Sequence, residues 1–414
     1  MIKNKQREIV VVYTKQFPFG FKEAYILDEI NALGKNFEEI YFLPYAEFDF
    51  KPNECRIGLD STFHVLKFGS IKPKRSLGEK ITALFSIAPI LFKEALFSRQ
   101  KLKSLKRIKQ NFFRLYHYSW IAHQLESWLK TQHGNITHYH YWMHDGVMIE
   151  KMSGAKNTSR HIARAHSIDC YHKDWPLPGY VPYEKQKLAY LDQVFSVSKH
   201  GEAYLKKSFP YWKNKIQYQP LGIPIHAHPI AENPQPIILT IAFMGKVKNM
   251  GRMIDLMKEL KNDFQWIHIG SGVEEIQQEI QTACKTNDIP FQSLGYLNKE
   301  EILDFLKNNP VAFFANTSIW EGVPVSLMEA GMFGVPFIVT DIPGNLEVVN
   351  KYNGFVIPLT GKLNRFAQQI KECFQDPASW KKRAIAAQNK VITEYNAEIN
   401  HHAFFEKVKG LPFK

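Results

Sequence analysis

The sequence predicts an α/β protein of two parallel-sheet domains. Short apolar runs of strand length alternate with helical patterns along most of the chain, which is the signature of βαβ units. The stretch 223–236 holds four prolines and no periodicity, and so divides the chain in two. The length of 414 residues suits about two to three domains.

The first half opens on Glu8-Ile-Val-Val-Val-Tyr13, a buried strand. Phe17-Pro-Phe-Gly20 follows, then a helical pattern through Tyr25, Ile26, Ile30 and Leu33, then the strand Glu39-Ile-Tyr-Phe-Leu-Pro44. Gly20 falls where a first strand-to-helix loop would approach a ligand; a plain turn glycine is the competing reading. From Lys67 to Lys130 the pattern becomes helical and basic, a helical insert at about 67–130. Between Lys67 and Arg114 stand thirteen basic residues against Glu79 and Glu94, so most of the chain's formal charge of +13 is concentrated there. Ile81 to Phe92 is apolar but contains Pro89 and is too short to span a membrane. Alternation of Leu102, Leu105, Ile108, Phe112, Phe113 and Leu115 with lysines and arginines suits either anionic lipid headgroups or a solvated face over a packed one. No nucleic-acid motif accompanies the patch.

Thr137-His-Tyr-His-Tyr-Trp142 is strand-like and runs into His144-Asp-Gly146. His138, His140 and His144 suggest a metal, but no nearby carboxylate set completes a site, so none is expected. Arg160-His-Ile-Ala-Arg-Ala-His166 is a further strand with His166 at its carboxyl end, where open α/β sheets bind ligands. Asp192 to Ser198 and Lys215 to Gly222 are strands flanking a helix from Lys199 to Lys207.

The second half starts at Ile237-Ile-Leu-Thr-Ile-Ala-Phe-Met244, followed by Gly245-Lys-Val-Lys-Asn249 and a helix, then Gln265-Trp-Ile-His-Ile269 closing on Gly270-Ser-Gly272. Its centre is Asn316 to Gly331. The apolar run Val311-Ala-Phe-Phe-Ala315 is a buried parallel strand, a turn carries Glu321 and Gly322, and Pro324 suits the first position of the helix that holds Glu329. A strand, a turn and a helix N-terminus form a place for an anion, and the two carboxylates can accept hydrogen bonds from hydroxyls. An anion beside hydroxyls describes a nucleotide sugar.

These residues carry a resemblance. Gly245-Lys-Val-Lys-Asn249, Gly270-Ser-Gly272, Glu321-Gly-Val-Pro-Val-Ser-Leu-Met-Glu-Ala330, Gly334-Val-Pro336, Thr340-Asp341, Gly344, Glu347-Val-Val349 and Asn353-Gly354 resemble the nucleotide-sugar domain of the retaining GT-B-fold glycosyltransferases of family 4. The first half is similar more loosely, through Phe17 to Gly20, Arg164-Ala-His166 with Asp169, and Val197-Ser198. Within that family the chain looks most like enzymes of bacterial surface polysaccharides. The resemblance implies two Rossmann-like domains facing a cleft: residues 1–222 on the acceptor side, 223–394 binding the nucleotide sugar, and 395–414 as a helix returning to the first domain. It implies that Glu321 contacts the donor sugar hydroxyls and Glu329 the ribose. Backbone N–H groups near Ser326 and Leu327, beside Gly322, would hold the diphosphate. Lys246 stands where the family usually has arginine and Lys248 where it has lysine, and the loop between them is shorter here. His166 resembles the histidine near the reacting sugar. Two lysines and a helix N-terminus could stabilise the leaving diphosphate without a metal, so no cofactor is expected.

Four scattered cysteines without paired spacing argue against a disulfide framework and fit a reducing compartment. The polar start from Met1 to Glu8 and the lack of a long apolar run lead to an expectation of a cytoplasmic enzyme, peripheral at the inner face of the plasma membrane, with a glycan or lipid-linked acceptor. The rival readings are a non-catalytic protein holding an acidic polymer or membrane through its basic face, and a sugar-nucleotide epimerase.

Overall fold

In a computed structural model the chain is described over residues 7–19, 23, 26–46, 55, 57, 62–68, 76–97, 105–154, 158–171, 181–226 and 228–414. It forms two units, Met1–Gln219 with His401–Lys414, and Pro220–Asn400. Gly20 lies outside the described residues, as do Lys72, Lys74, Arg75, Arg99, Lys101 and Lys103 of the basic region.

The first unit contains, in order, β1 (Glu8–Thr14), α1 (Leu27–Gly34), β2 (Glu39–Pro44), β3 (Phe63–Val65), α2 (Leu77–Phe97), α3 (Leu105–Leu129), β4 (Asn135–His140), α4 (Asp145–Ser153), β5 (Ser159–Ala165), α5 (Ser167–Cys170), α6 (Glu184–Tyr190), β6 (Gln193–Ser196), α7 (Lys199–Ser208) and β7 (Ile216–Tyr218). Its sheet is wholly parallel, in the order β3-β2-β1-β4-β5-β6-β7. The second unit contains β8 (Gln235–Ile241), a 3-10 turn (Lys246–Lys248), α8 (Met250–Leu260), β9 (Gln265–Ile269), α9 (Glu274–Thr286), β10 (Phe291–Ser293), α10 (Lys299–Asn308), β11 (Val311–Asn316), α11 (Val325–Met332), β12 (Phe337–Thr340), α12 (Pro343–Leu346), β13 (Gly354–Ile357), α13 (Asn364–Gln375), α14 (Pro377–Glu394) and the start of α15 (Ala397–Lys409). Its sheet, also parallel, has the order β10-β9-β8-β11-β12-β13. Counted within each unit, the second sheet follows the doubly wound order 3-2-1-4-5-6 and the first the same order with a seventh strand added, with a switch point between β1 and β4 and another between β8 and β11.

Burial on both faces explains the unbroken apolar strands. Every residue of β11 is buried, as is β1 after its first residue. Trp380 of α14 donates its indole N–H to the carbonyl of Ala312 at 2.8 Å, which fixes that helix against β11. In the first unit Phe404, Phe405 and Val408 of α15 pack with Phe37, Tyr139 and Phe195, so the last helix completes that unit's core.

One buried charge pair fastens five pieces of the first unit. Arg164 of β5 donates to Glu29 of α1 at 2.9 Å and to the carbonyl of Gln219 at 2.7 Å, and its guanidinium lies 4.0 Å from the Phe404 ring. Tyr139 donates to the same carboxylate, and His401 lies 3.8 Å from it. Burial opposes ionisation of Glu29, but Arg164 and then His401 outweigh it and hold the carboxyl below its usual range.

The helical pair α2 and α3 departs from a simple amphipathic expectation. Ser76 and Glu79 cap α2 reciprocally, at 2.7 Å (Ser76 N–H to Glu79) and 3.3 Å (Glu79 N–H to Ser76), and the helix runs unbroken through Pro89. Its buried stripe is Ala83, Ile87 and Ile90, packed on Leu115, Met148 and Tyr183. The opposite face is apolar as well: Leu77, Phe85 and Phe92 are 74%, 76% and 67% exposed. No described helix is long and apolar enough to cross a membrane.

Truncating Glu29 to Ala leaves Arg164 buried without its counter-charge, so it lowers unfolding free energy by about 3–5 kcal/mol. Truncating Arg7, whose pair with Glu39 is largely exposed, costs at most about 1 kcal/mol. Urea unfolding of the two variants checks the contrast.

Candidate functional site

The second unit's site is built where β8 and β11 leave the sheet. At the exit of β8 the chain passes close to β9, which requires glycine: Gly270 has φ +140°, and a Cβ there would lie 2.0 Å from the carbonyl of Ala242. The 3-10 turn Lys246–Lys248 follows and ends at Asn249, a non-glycine residue in the left-handed region at φ 48°. The loop after β11 is laced to this turn. Ile319 N–H donates to the Val247 carbonyl at 2.9 Å, and the Thr317 hydroxyl reaches the carbonyls of Lys248 and Asn249 at 3.1 and 3.2 Å. Two loops far apart in sequence thus form one rigid rim at the switch point.

Glu321 projects from this rim and its carboxylate is held by three neighbours through a single oxygen. Lys248 Nζ lies 2.5 Å from Oε1, the Ser318 hydroxyl donates to it at 2.7 Å, and Asn316 Nδ2 stands 3.4 Å away. Ser318 is fixed in turn, its N–H donating to Asn316 Oδ1 at 3.0 Å and its carbonyl receiving the Thr340 hydroxyl at 2.5 Å. Asn345 donates to the Thr340 carbonyl at 3.0 Å. Gly344 crosses so near that a Cβ would be 2.4 Å from the Glu321 carbonyl and 2.6 Å from that of Gly322.

Pro324 is the N-cap of α11, with ψ 116°, and Val325 is the first helical residue. This shifts the expected helix start by one residue: the extended ψ that carries the chain out of the turn excludes Pro324 from the helix itself. Leu327 N–H closes on the Pro324 carbonyl at 3.2 Å, leaving the earlier N–H groups of the helix without intrahelical partners. Leu327 is buried, while Ser326 and Glu329 are half-buried on the same helix. Lys246 is exposed and has no ion-pair partner among the described residues. The structure therefore joins Lys248 to Glu321 directly and places Gly322, Ser326, Leu327 and Glu329 on one turn and helix beyond them.

His166 belongs to the first unit, at the carboxyl end of β5. Its Nε2 lies 3.1 Å from the Tyr141 carbonyl, which can only accept, so Nε2 carries the proton and Nδ1 remains an acceptor. Its backbone N–H donates to Asp169 Oδ2 at 3.2 Å, and its ring lies 4.4 Å from that of Trp142. Burial, then the Arg164 charge, push its pKa down to about 3, so it is neutral at pH 7.

Sequence reasoning assigned no role to several residues at these edges, although Asp145 and Asp169 stand in stretches it quoted. Glu23 is buried and gathers the N–H groups of Lys15, Gln16 and Phe17 at 3.2, 2.7 and 2.8 Å, with the Trp142 indole at 2.8 Å. It shapes the loop after β1 as a carboxylate nest. Asp145 Oδ1, Asp169 Oδ1 and the Tyr45 hydroxyl are buried with no hydrogen-bond partner among the described residues, at the ends of β2, β4 and β5. Burial raises the Asp169 carboxyl, whereas His144, Arg114 and Lys187 outweigh burial at Asp145 and hold it low. In the second unit Asn316, Ser318 and Thr340 stand inside the quoted motifs but drew no role of their own, because their work is to orient Glu321.

Residues 225–391 match the family described as Glycosyl transferases group 1. The amylovoran biosynthesis glycosyltransferase AmsK of Erwinia amylovora is 27% identical over 188 residues, 43% of this chain and 46% of that protein. The O-antigen biosynthesis glycosyltransferase WbnH of Escherichia coli is 23% identical over 56% of this chain and 65% of its own length. The chain spans about half the length of the first curated relatives it matches, 46% and 48%. Among solved structures, HepE of Anabaena in complex with UDP and glucose superposes with a TM-score of 0.66 at 14% identity, covering 97% of this chain and 99% of that one. The chain has the GT-B fold, and its second unit resembles the group 1 glycosyl transferases over nearly its whole length.

Proposed function

We propose that this chain is a glycosyltransferase that moves a sugar from a nucleotide diphosphate sugar to a glycan or lipid-linked acceptor, with retention of anomeric configuration, in cell-surface polysaccharide biosynthesis. The observation that carries the reading is the Glu321 carboxylate, oriented by Ser318, Asn316 and Lys248 at the switch point of the second sheet and followed on α11 by Glu329. Relatives named for amylovoran and O-antigen synthesis, and a neighbour of the same fold bound to UDP, support it.

In this reading the diphosphate rests on the N–H groups that open α11, with Lys246 beside it. Lys248 already pairs with Glu321, so its charge is shared between that carboxylate and the incoming phosphate. Glu321 receives sugar hydroxyls and Glu329 the ribose. Departure of the diphosphate is assisted by lysine charge and helix N–H groups. His166, neutral at pH 7, is assigned a sugar-contacting role on the family resemblance alone. The acceptor is assigned to the first unit, and α2 is assigned to the surface of an anionic membrane. Its exposed Phe85 and Phe92, with Lys80 and Lys93 on the same helix, combine the apolar and basic groups that such a surface needs.

Nucleoside diphosphates should raise the melting temperature, and a panel of UDP, GDP and ADP identifies the base. Glu321→Gln should lower turnover about 100-fold or more, while Glu329→Ala should weaken donor binding about tenfold or more; unaltered kinetics in both would sink the site assignment. Cosedimentation with anionic vesicles should fall with salt and on changing Phe85 and Phe92 to Ser; absence of binding removes the membrane contact.

His166 also sets a pH dependence. Its folded pKa lies below the unfolded 6.5, so the unfolded state binds more protons between the two values. The associated stability is fully present above about pH 6.5 and is lost on acidification, at a slope approaching 1.4 kcal/mol per pH unit, or about that. His166→Gln should flatten the decline in melting temperature between pH 7 and pH 5 relative to the parent.

A further inference from the structure

Away from both edges already described, the first unit gathers three imidazoles around one carboxylate, two of them buried and the third, of His161, partly so. His138 of β4 and His161 of β5 are register partners on adjacent strands, and their rings stack at 5.2 Å with 17° between planes. Glu150 comes from α4, the crossover helix that joins those same two strands. The donor atoms of His138, Glu150 and His161 lie within 4.8 Å of one another. Glu150 Oε1 is 3.5 Å from His138 Nδ1 and bonded to His161 Nδ1.

Around these three stands an outer set of polar groups. His140 Nε2 meets Glu150 Oε2 at 2.6 Å, the Tyr190 hydroxyl donates to Oε1 at 3.0 Å, and the Tyr13 hydroxyl is 2.8 Å from His138 Nδ1. His138, His140 and Glu150 are all at least nine-tenths buried. A carboxylate in that position needs positive charge close by.

We propose that His138 Nδ1, His161 Nδ1 and Glu150 Oε1 bind one divalent transition-metal ion of the zinc type, which ties β4, α4 and β5 together. Two imidazole nitrogens and a carboxylate oxygen are the ligand types zinc takes, at about 2.0–2.2 Å each. The Tyr13 oxygen supplies a fourth donor next to His138. His140 and Tyr190 hold the carboxylate from outside, as outer partners of metal ligands do. On binding, the ion takes the place of the one proton that now lies between His161 Nδ1 and Glu150 Oε1; that proton passes to solvent if His161 was charged, or is replaced by one on Nε2 if it was neutral. The site is separate from the donor machinery of the second unit, so it is a structural site and leaves the proposed transfer chemistry unchanged. Such a site departs from the expectation of no metal: the carboxylate that the histidines of β4 lacked comes from α4, and the second imidazole comes across the strand pair.

The test uses the full untagged chain, stripped with chelator and titrated with ZnCl₂ in a calorimeter. The expected result is one zinc per chain with a raised melting temperature. Cobalt(II) in place of zinc should give the visible absorption of a four-coordinate nitrogen and oxygen site. His161→Gln, at the more exposed ligand, should weaken binding at least 100-fold; its circular dichroism shows whether it is folded. If that variant does not fold, X-ray absorption of the zinc-loaded parent decides, through the presence or absence of an imidazole shell of two. No stoichiometric binding, or binding equally strong in folded His161→Gln, or a shell without imidazole, overturns the proposal.

Discussion

Parallel strands joined by right-handed crossovers all end on the same side of their sheet, and every strand-to-helix loop is delivered to that one edge. This constraint governs both units. It brings the turn after β8 beside the loop after β11, though about seventy residues separate Lys248 from Glu321. Reversal of strand order between β8 and β11 keeps the crossover helices from covering the gap, so Glu321 can be reached while its backbone is held. The same geometry gathers Glu23, Asp145 and His166 at the corresponding edge of the first sheet.

How these edges are stiffened differs. In the second unit the work falls to short side chains that bond backbone: Thr317, Thr340 and Asn345 each donate to a carbonyl of the rim or its neighbouring strand. Gly344 contributes by lacking a side chain where two backbones meet. In the first unit charge is used more heavily, with Glu23 gathering four N–H groups and Arg164 buried against Glu29. Buried charges of that kind hold one geometry firmly because any other leaves them uncompensated.

Much of the second unit was legible in the sequence, since its strand, turn and helix lie in one short stretch and Glu321 and Glu329 fall inside it. Local pattern is enough there. The strands from Glu8, Glu39 and Val311 were legible for the same reason. What escaped depends on pairing between distant segments. That His138 faces His161 follows from the register of β4 on β5, and that Glu150 reaches both follows from how α4 packs. The apolar outer face of α2 was hidden because composition cannot say which side of an all-round apolar helix is covered. Lys248 was placed with the phosphates by its position in a motif, yet its nearest carboxylate oxygen belongs to Glu321.

The core of the first unit includes Phe404, Phe405 and Val408, which the ribosome makes only after the whole of the second unit. During synthesis the nascent first sheet therefore waits, with the apolar side next to Phe37 and Phe195 uncovered, while residues 220–400 emerge and can fold as one continuous segment. The order of completion is the reverse of the order of translation. A chain cut short before His401 would carry a finished second unit and an unfinished first one, which makes quality control of this protein a matter of its last few turns of helix.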